Sequence, residues 1–160
     1  MNDFDLEEHT IVVDNLDHTN KTDFTAHLPV ALDDVVEAKL IAATVNTSGD
    51  TQRVLHVNID ELRTTFSQRT KADLASGSDN HLNGLFGTII CQHVLHAASN
   101  NQKAVFFRDE YPISRRFYTP IQKLDRLTFN IDRENGDSAS LTDAIFVFKF
   151  MCKRRSFASK

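Results

Sequence analysis

The sequence predicts an all-β fold, an antiparallel sandwich or barrel. Two observations predict it. Apolar residues recur at every second position in one short run after another, and clusters of turn-forming residues separate the runs. A third observation bounds the size. A chain of 160 residues with 12 Phe and 41% hydrophobic content makes one domain with a core of its own, spanning 1–160. No internal repeat, low-complexity block or linker divides it.

A weak strand, TIVVD (10–14), comes first. In TDFTAHLPV, Phe24, Ala26, Leu28 and Val30 share one face, with Asp23, Thr25 and His27 on the other. The next segment, ALDDVVEAKLIAATV (31–45), has two readings. As a helix it carries Leu32, Val36, Leu40 and Ala43 on one stripe, and its Ala, Leu, Glu and Lys favour that locally. As a strand it carries Val36, Ala38, Leu40 and Ala42 on one face. In VLHVNID, Leu55, Val57 and Ile59 alternate with His56 and Asn58. Residues 60–83 are polar, a longer surface loop or a short helix with a loop. GTIICQHVL (87–95) and KAVFFR (103–108) are weaker strands.

The last two runs are the clearest. In DRLTFNID, Leu127, Phe129 and Ile131 alternate with Arg126, Thr128 and Asn130. In AIFVFKF, Ala144, Phe146, Phe148 and Phe150 share a face, and Ile145 with Val147 opposite suggests cover on both sides at its start. The expected core is therefore Phe24, Leu28, Leu127, Phe129, Ile131, Phe146 and Phe148. Turn formers cluster at 46–50, 76–80, 98–101 and 134–137. Asn135-Gly136 is the strongest hairpin signal and should turn the chain into a final strand at 144–151. Lys123, Asp125, Arg126 and Arg133 are expected to be exposed or interfacial. The count comes to about eight strands.

The net charge of −4 hides an asymmetry. Asp3, Asp5, Glu7, Glu8, Asp14 and Asp17 give the start an acidic character, including an arm at 1–9. Lys149, Lys153, Arg154, Arg155 and Lys160 give the end a basic one, including a tail at 152–160. Such polarity either steers assembly between copies or leaves two solvated termini. No apolar run approaches the ~20 residues of a membrane span, and the acidic N-terminus is unlike a secretory signal. Cys91 and Cys152 are far apart and follow no metal spacing, as expected in a reducing compartment.

Catalytic patterns are missing. His93 and His96 lie near Cys91, but on a strand residues 91 and 93 share a face and 96 points away, which spoils a three-ligand set. A cupin motif would need H-x-H after a glycine, and the pair here is H-x-x-H. There is no G-x-S-x-G elbow, P-loop or G-x-G-x-x-G. The adjacent carboxylates Asp33 with Asp34 and Asp109 with Glu110 point apart on a strand. No enzyme activity and no cofactor or metal is expected. Three cations beside Phe157 at the end are weak evidence for phosphate, so nucleic acid is not an expected partner. Arg115 and Arg116, flanked by Tyr111, Phe117 and Tyr118, suggest a contact surface or the packed base of a loop.

Two stretches carry a resemblance. Residues 9–45 hold a strand ending at Val12–Asp14, then Asp23-Phe24-Thr25 through Leu28-Pro29, then a strand rich in Val, Leu and Ala. Residues 119–137, TPIQKLDRLTFNIDRENGD, match at Pro120, Leu124, Leu127, Thr128, Phe129 and Gly136. Together and in this order they resemble the small single jelly-roll penton and minor capsid proteins of large double-stranded DNA viruses. His18 stands where that family commonly has Arg, so a salt bridge there is in doubt. Residues 46–110 match only as a strand pattern.

The resemblance implies a single jelly roll of two four-stranded antiparallel sheets, with 35–45 as a strand. It implies a structural virion protein, a vertex subunit assembling as a homopentamer beside major and minor capsid proteins. Alternatives are a minor or cement capsid protein, and a trimeric receptor-binding or lectin-like module using Phe66 or Tyr111. A cupin-type metalloenzyme stands last. The expected interface residues are Arg115, Arg116, Lys153, Arg154 and Arg155, with Asp3, Asp5, Glu7 and Glu8.

Overall fold

The structure, a computed structural model, describes residues 5–48, 54–63, 84–90, 92–95 and 102–154. These form seven strands: β1 (Leu6–Asp14), β2 (Asp23–Ser48), β3 (Val54–Ile59), β4 (Gly87–Ile90), β5 (Gln92–Leu95), β6 (Gln102–Arg133) and β7 (Leu141–Lys153). One 3-10 turn, Asp60–Leu62, follows β3, and 64–83 lie outside the described residues. Every strand pairing is antiparallel. The order is β1-β7-β2-β6-β3-β4, with β5 on β6. The fold is all-β, and the ambiguous segment 31–45 is strand.

Strands expected as separate pieces are continuous. β2 has 26 residues and β6 has 32. The start of β2, Asp23 to His27, pairs with Asn130 to Arg126 of β6. Its later part, from Val35 to Thr47, pairs with β6 on one side and β7 on the other. The strand survives its awkward sequence through bulges, where the register shifts between His27 and Leu32, Val35 and Glu37, and Leu40 and Ala42. Asp34, inside this stretch, takes a left-handed φ of 51°, a conformation that Asp tolerates better than most residues.

Each bulge swaps the face that later side chains occupy. Leu32, Val35, Ala38, Leu40, Ala43 and Val45 are all buried, although no single alternation joins them. Val30, expected to share the face of Phe24, is instead 75% exposed, because it lies within the first irregularity. Leu28, expected in the core, is half-buried and packs against it from the rim.

The sheet curls over on itself. Phe24 of β2 and Phe129 of β6 are directly paired and their rings stack at 4.8 Å. Phe146 of β7 is paired with Ala43 of β2. Phe24 and Ala43 are 19 residues apart (24 to 43), roughly 60 Å along a straight strand. Yet the rings of their partners, Phe129 and Phe146, stack at 5.4 Å. β2 must therefore bend so that its two ends face each other across the core. Phe86, Phe129, Phe146, Phe148 and Phe150 fill that space and are fully buried, together with Leu127 and Ile131. Each such ring contributes about 1.5–3 kcal/mol by leaving water, and a well-placed aromatic pair adds about 0.5–1.5 kcal/mol.

Local chemistry pins the connections. Asn15 is completely buried. Its Oδ1 accepts from the Ala144 N–H at 2.7 Å and its Nδ2 donates to the Lys21 carbonyl at 2.8 Å. The Lys21 ammonium returns to the carbonyls of Asn15 and Leu16 at 3.0 and 2.8 Å. At the other hairpin, Gly136 has φ 91°, and its N–H donates to the Arg133 carbonyl at 3.0 Å while Arg133 N–H donates to Asp137 at 2.7 Å.

Three boundaries and two burial assignments differ from expectation. β1 begins at Leu6, so residues 6–9 of the expected arm are strand. β7 begins at Leu141 and runs through Lys153, taking Cys152 and Lys153 from the expected tail. The start of β7 is covered on one side only, since Ile145 is 39% exposed. His56, expected on the polar face, is buried with its Nδ1 3.1 Å from the Thr88 hydroxyl.

Candidate functional site: a charged groove on the outer face

Glu37 and Lys39 follow the bulge at Val35–Glu37 of β2, with Ala38 between them. Ala38 faces the core and is fully buried. By the period of two, Glu37 and Lys39 project from the opposite, outer face. The register sets Glu37 against Arg116 and Lys39 against Ser114 on β6, and Glu37 against Met151 on β7. Chain segments 77 residues apart thus deliver one cluster.

Glu37 is 8% exposed, one of the few buried charged residues among those described. Its Oε1 accepts from the Ser114 hydroxyl at 2.6 Å and from Arg116 Nε at 3.2 Å. Its Oε2 lies 3.5 Å from the Lys39 ammonium. Burial pushes the carboxyl pKa up. The hydrogen bonds from Ser114 and Arg116, with the charges of Lys39 and Arg116, outweigh it and hold the pKa below its ordinary value. Glu37 is therefore an ionised anchor. It holds Arg116, whose side chain is 82% exposed, over the surface rather than burying it.

Around this anchor runs an open groove of about 890 Å³. Val36, Phe117, Pro120 and Met151 form its apolar lining, and Lys39, Arg116 and Lys153 its cationic rim. Three cations stand against the single carboxylate of Glu37. Tyr118 rises beside them with 98% exposure, the most exposed large hydrophobic side chain of the described residues. The arrangement suits a ligand that presents a carboxylate or other anion next to an apolar group. Glu37 accepts the Ser114 hydroxyl while paired to Lys39 and Arg116, which weakens it as a base.

The expected interface residues separate. Arg116 and Lys153 line the groove. Arg115 lies opposite Ala38, on the other face of β6, and its Nη1 donates to the Ser114 carbonyl at 3.2 Å. The adjacent arginines therefore do not form one surface. Arg154 is exposed, and its backbone N–H donates to the Asp5 carbonyl at 2.8 Å. Glu8 pairs with Lys149 at 2.8 Å, and Glu7 lies 3.7 Å from His9. The acidic start and the basic end thus meet within one copy, as β1 against β7, and their complementarity is partly satisfied there. Lys123, Asp125 and Arg126 are exposed, and Arg133 is half-buried.

Asp3, Phe66, Cys91, His96 and Arg155 lie outside the described residues. His93 falls in β5 with its Cα opposite Val105, and Tyr111 falls in β6. Cys152 is a free, buried thiol whose pKa is raised to about 11 by burial and by the nearby carboxylates of Glu7, Asp33 and Asp34. Among the described residues, no group of three His, Cys, Asp or Glu side chains is placed to hold a metal ion. No helix among them is long and apolar enough to cross a membrane.

Compared with known proteins, the chain matches no family model and no curated protein. The sequence reading named Arg116 and Lys153 but missed Glu37 and Lys39. The available signal was the charge of both residues inside an otherwise apolar run, VVEAKLI.

Proposed function

We propose that this chain is a structural shell subunit, a single jelly roll that assembles head to tail into a ring of five at a capsid vertex. One observation carries the reading: the strand pairs follow the order of a rolled-up antiparallel ribbon. β1 pairs with β7, the start of β2 with the end of β6, the end of β2 with the start of β6, and β3 with β4. Counting β2 and β6 as two strands each, and the short β4 and β5, one residue apart, as one, gives eight, the number that a jelly roll of two four-stranded sheets would have.

The same fold serves lectins and cupins, so fold alone does not choose a function. The capsid reading adds the two sequence stretches, 9–45 and 119–137, that resemble vertex and minor capsid proteins. In its favour, Arg116 and Tyr118 of the groove are residue types that interfaces favour.

Light scattering on the purified chain over a range of concentrations tests it. A mass of five copies is the expected result. Three copies would favour a receptor-binding module, and a monomer at every concentration a cement protein that joins other capsomers.

A further inference from the structure

We propose that the groove around Glu37 receives the acidic turn 14–17 of a second copy of this chain. The proposal rests on the shell-subunit reading and names the contact that would build it. The turn has the chemistry the groove lacks. Leu16 stands 55% exposed at its tip, and Asp14 and Asp17 flank it, both exposed. Its shape is set before any contact forms. Leu16 N–H donates to Asp14 Oδ1 at 3.0 Å, His18 N–H to the Asn15 carbonyl at 3.1 Å, and the buried Asn15 ties the turn to β7. Lys21, the nearest cation, is engaged with two backbone carbonyls. A preformed turn loses little freedom on docking.

The groove presents the complement. Its apolar lining suits Leu16, while Lys39, Arg116 and Lys153 at the rim suit the two aspartates. A space of about 890 Å³ is in the range of pockets that enclose a ligand of several groups, ~300–1,000 Å³. Place in the fold argues against the acidic residues of β1's start as the guest. Asp5 and Glu7 sit at the groove's own end of β1, where Leu6 lines it.

Position makes the contact head to tail. Leu6 is paired with Lys153 at the groove end of the β1–β7 pair, and Asp14 with Ile145 at the other. The separation is roughly 27 Å along β1 at ~3.4 Å per residue. Two different patches on one subunit give a heterologous interface, which closes into a ring or extends as a filament.

Charge reversal on the full chain tests this, read by light scattering with thermal melting to confirm folding. Arg116→Glu and Asp17→Lys should each raise the midpoint concentration for assembly by about tenfold or more. The double variant should regain much of the loss. Oxidation of a chain carrying both Leu16→Cys and Tyr118→Cys should give a ladder of linked copies, absent from either single variant. If the wild-type chain forms pentamers and the reversals assemble equally well, or the double is no better than the singles, this contact is wrong and the shell reading stands. If the wild-type chain stays monomeric throughout, both fall. If a Leu-Asp peptide of foreign sequence fills the groove of the intact pentamer without dissociating it, the groove belongs to another partner and the proposal is overturned.

Discussion

The Lys149 ammonium lies 2.8 Å from the Glu8 carboxylate, diagonally across the β1–β7 pair. The opposite charges of the two chain ends therefore meet inside one copy. Both side chains keep substantial exposure, 36% and 49%, so water screens the attraction. Lys149→Met or Glu8→Gln should cost only about 0.2–1 kcal/mol, with most of that gone in high salt. Urea unfolding at low and high salt checks it, and a loss above ~2 kcal/mol that salt does not reduce would contradict the surface assignment.

Phe129 should be the costliest single core position. It stacks on Phe24 and Phe146 and touches Phe148, so one ring joins the two facing parts of the sheet. Phe129→Ala should lose about 3–5 kcal/mol. Phe24→Ala, at the edge of the same stack, should lose less. Chemical denaturation of the two variants orders them, and equal losses would mean that the stack is not centred on Phe129.

Glu37 should make the fold acid-sensitive. Its folded pKa is depressed below the ordinary value, so its contribution to stability is complete above that value. The contribution is lost as pH falls through the lower, folded-state pKa. Glu37→Gln should therefore destabilise at neutral pH and narrow its gap to wild type as acid is added. Urea midpoints measured across the acidic range test the sign: a gap that widened in acid would refute it.

Gly87 should tolerate no side chain. A Cβ there would run into the Ile113 side chain, which packs against the core. Gly87→Ala should lose about 1–3 kcal/mol by overpacking, and adding Ile113→Ala should recover part of it. A double variant weaker than the simple sum of the two singles would exclude relief of the clash.

The sequence made some of this legible and hid the rest for a physical reason. Period-two runs such as 127–131 and 144–150 lie in undisturbed strands, so their alternation could be read directly. Residues 31–45 could not be read that way. Successive bulges place the buried residues at 32, 35, 38, 40, 43 and 45, and steps of three and two imitate a helical stripe. The same irregularity turned Val30 outward. The Glu37 cluster was invisible for another reason: its members meet only once β2 and β6 have chosen a register, and no local pattern contains that choice.

The position of β7 has a consequence for how the chain is made. Of the described strands β7 is synthesised last, yet it lies between β1 and β2, the first two. Until it leaves the ribosome, β1 has no strand to pair with and half of β2 lacks a neighbour. Phe129 meanwhile waits for Phe146 and Phe148. Such long-range closure makes folding slow and keeps bare strand edges in solution while it proceeds. A cell producing this protein in quantity must hold those edges apart until the last thirteen-residue strand arrives to close the sheet.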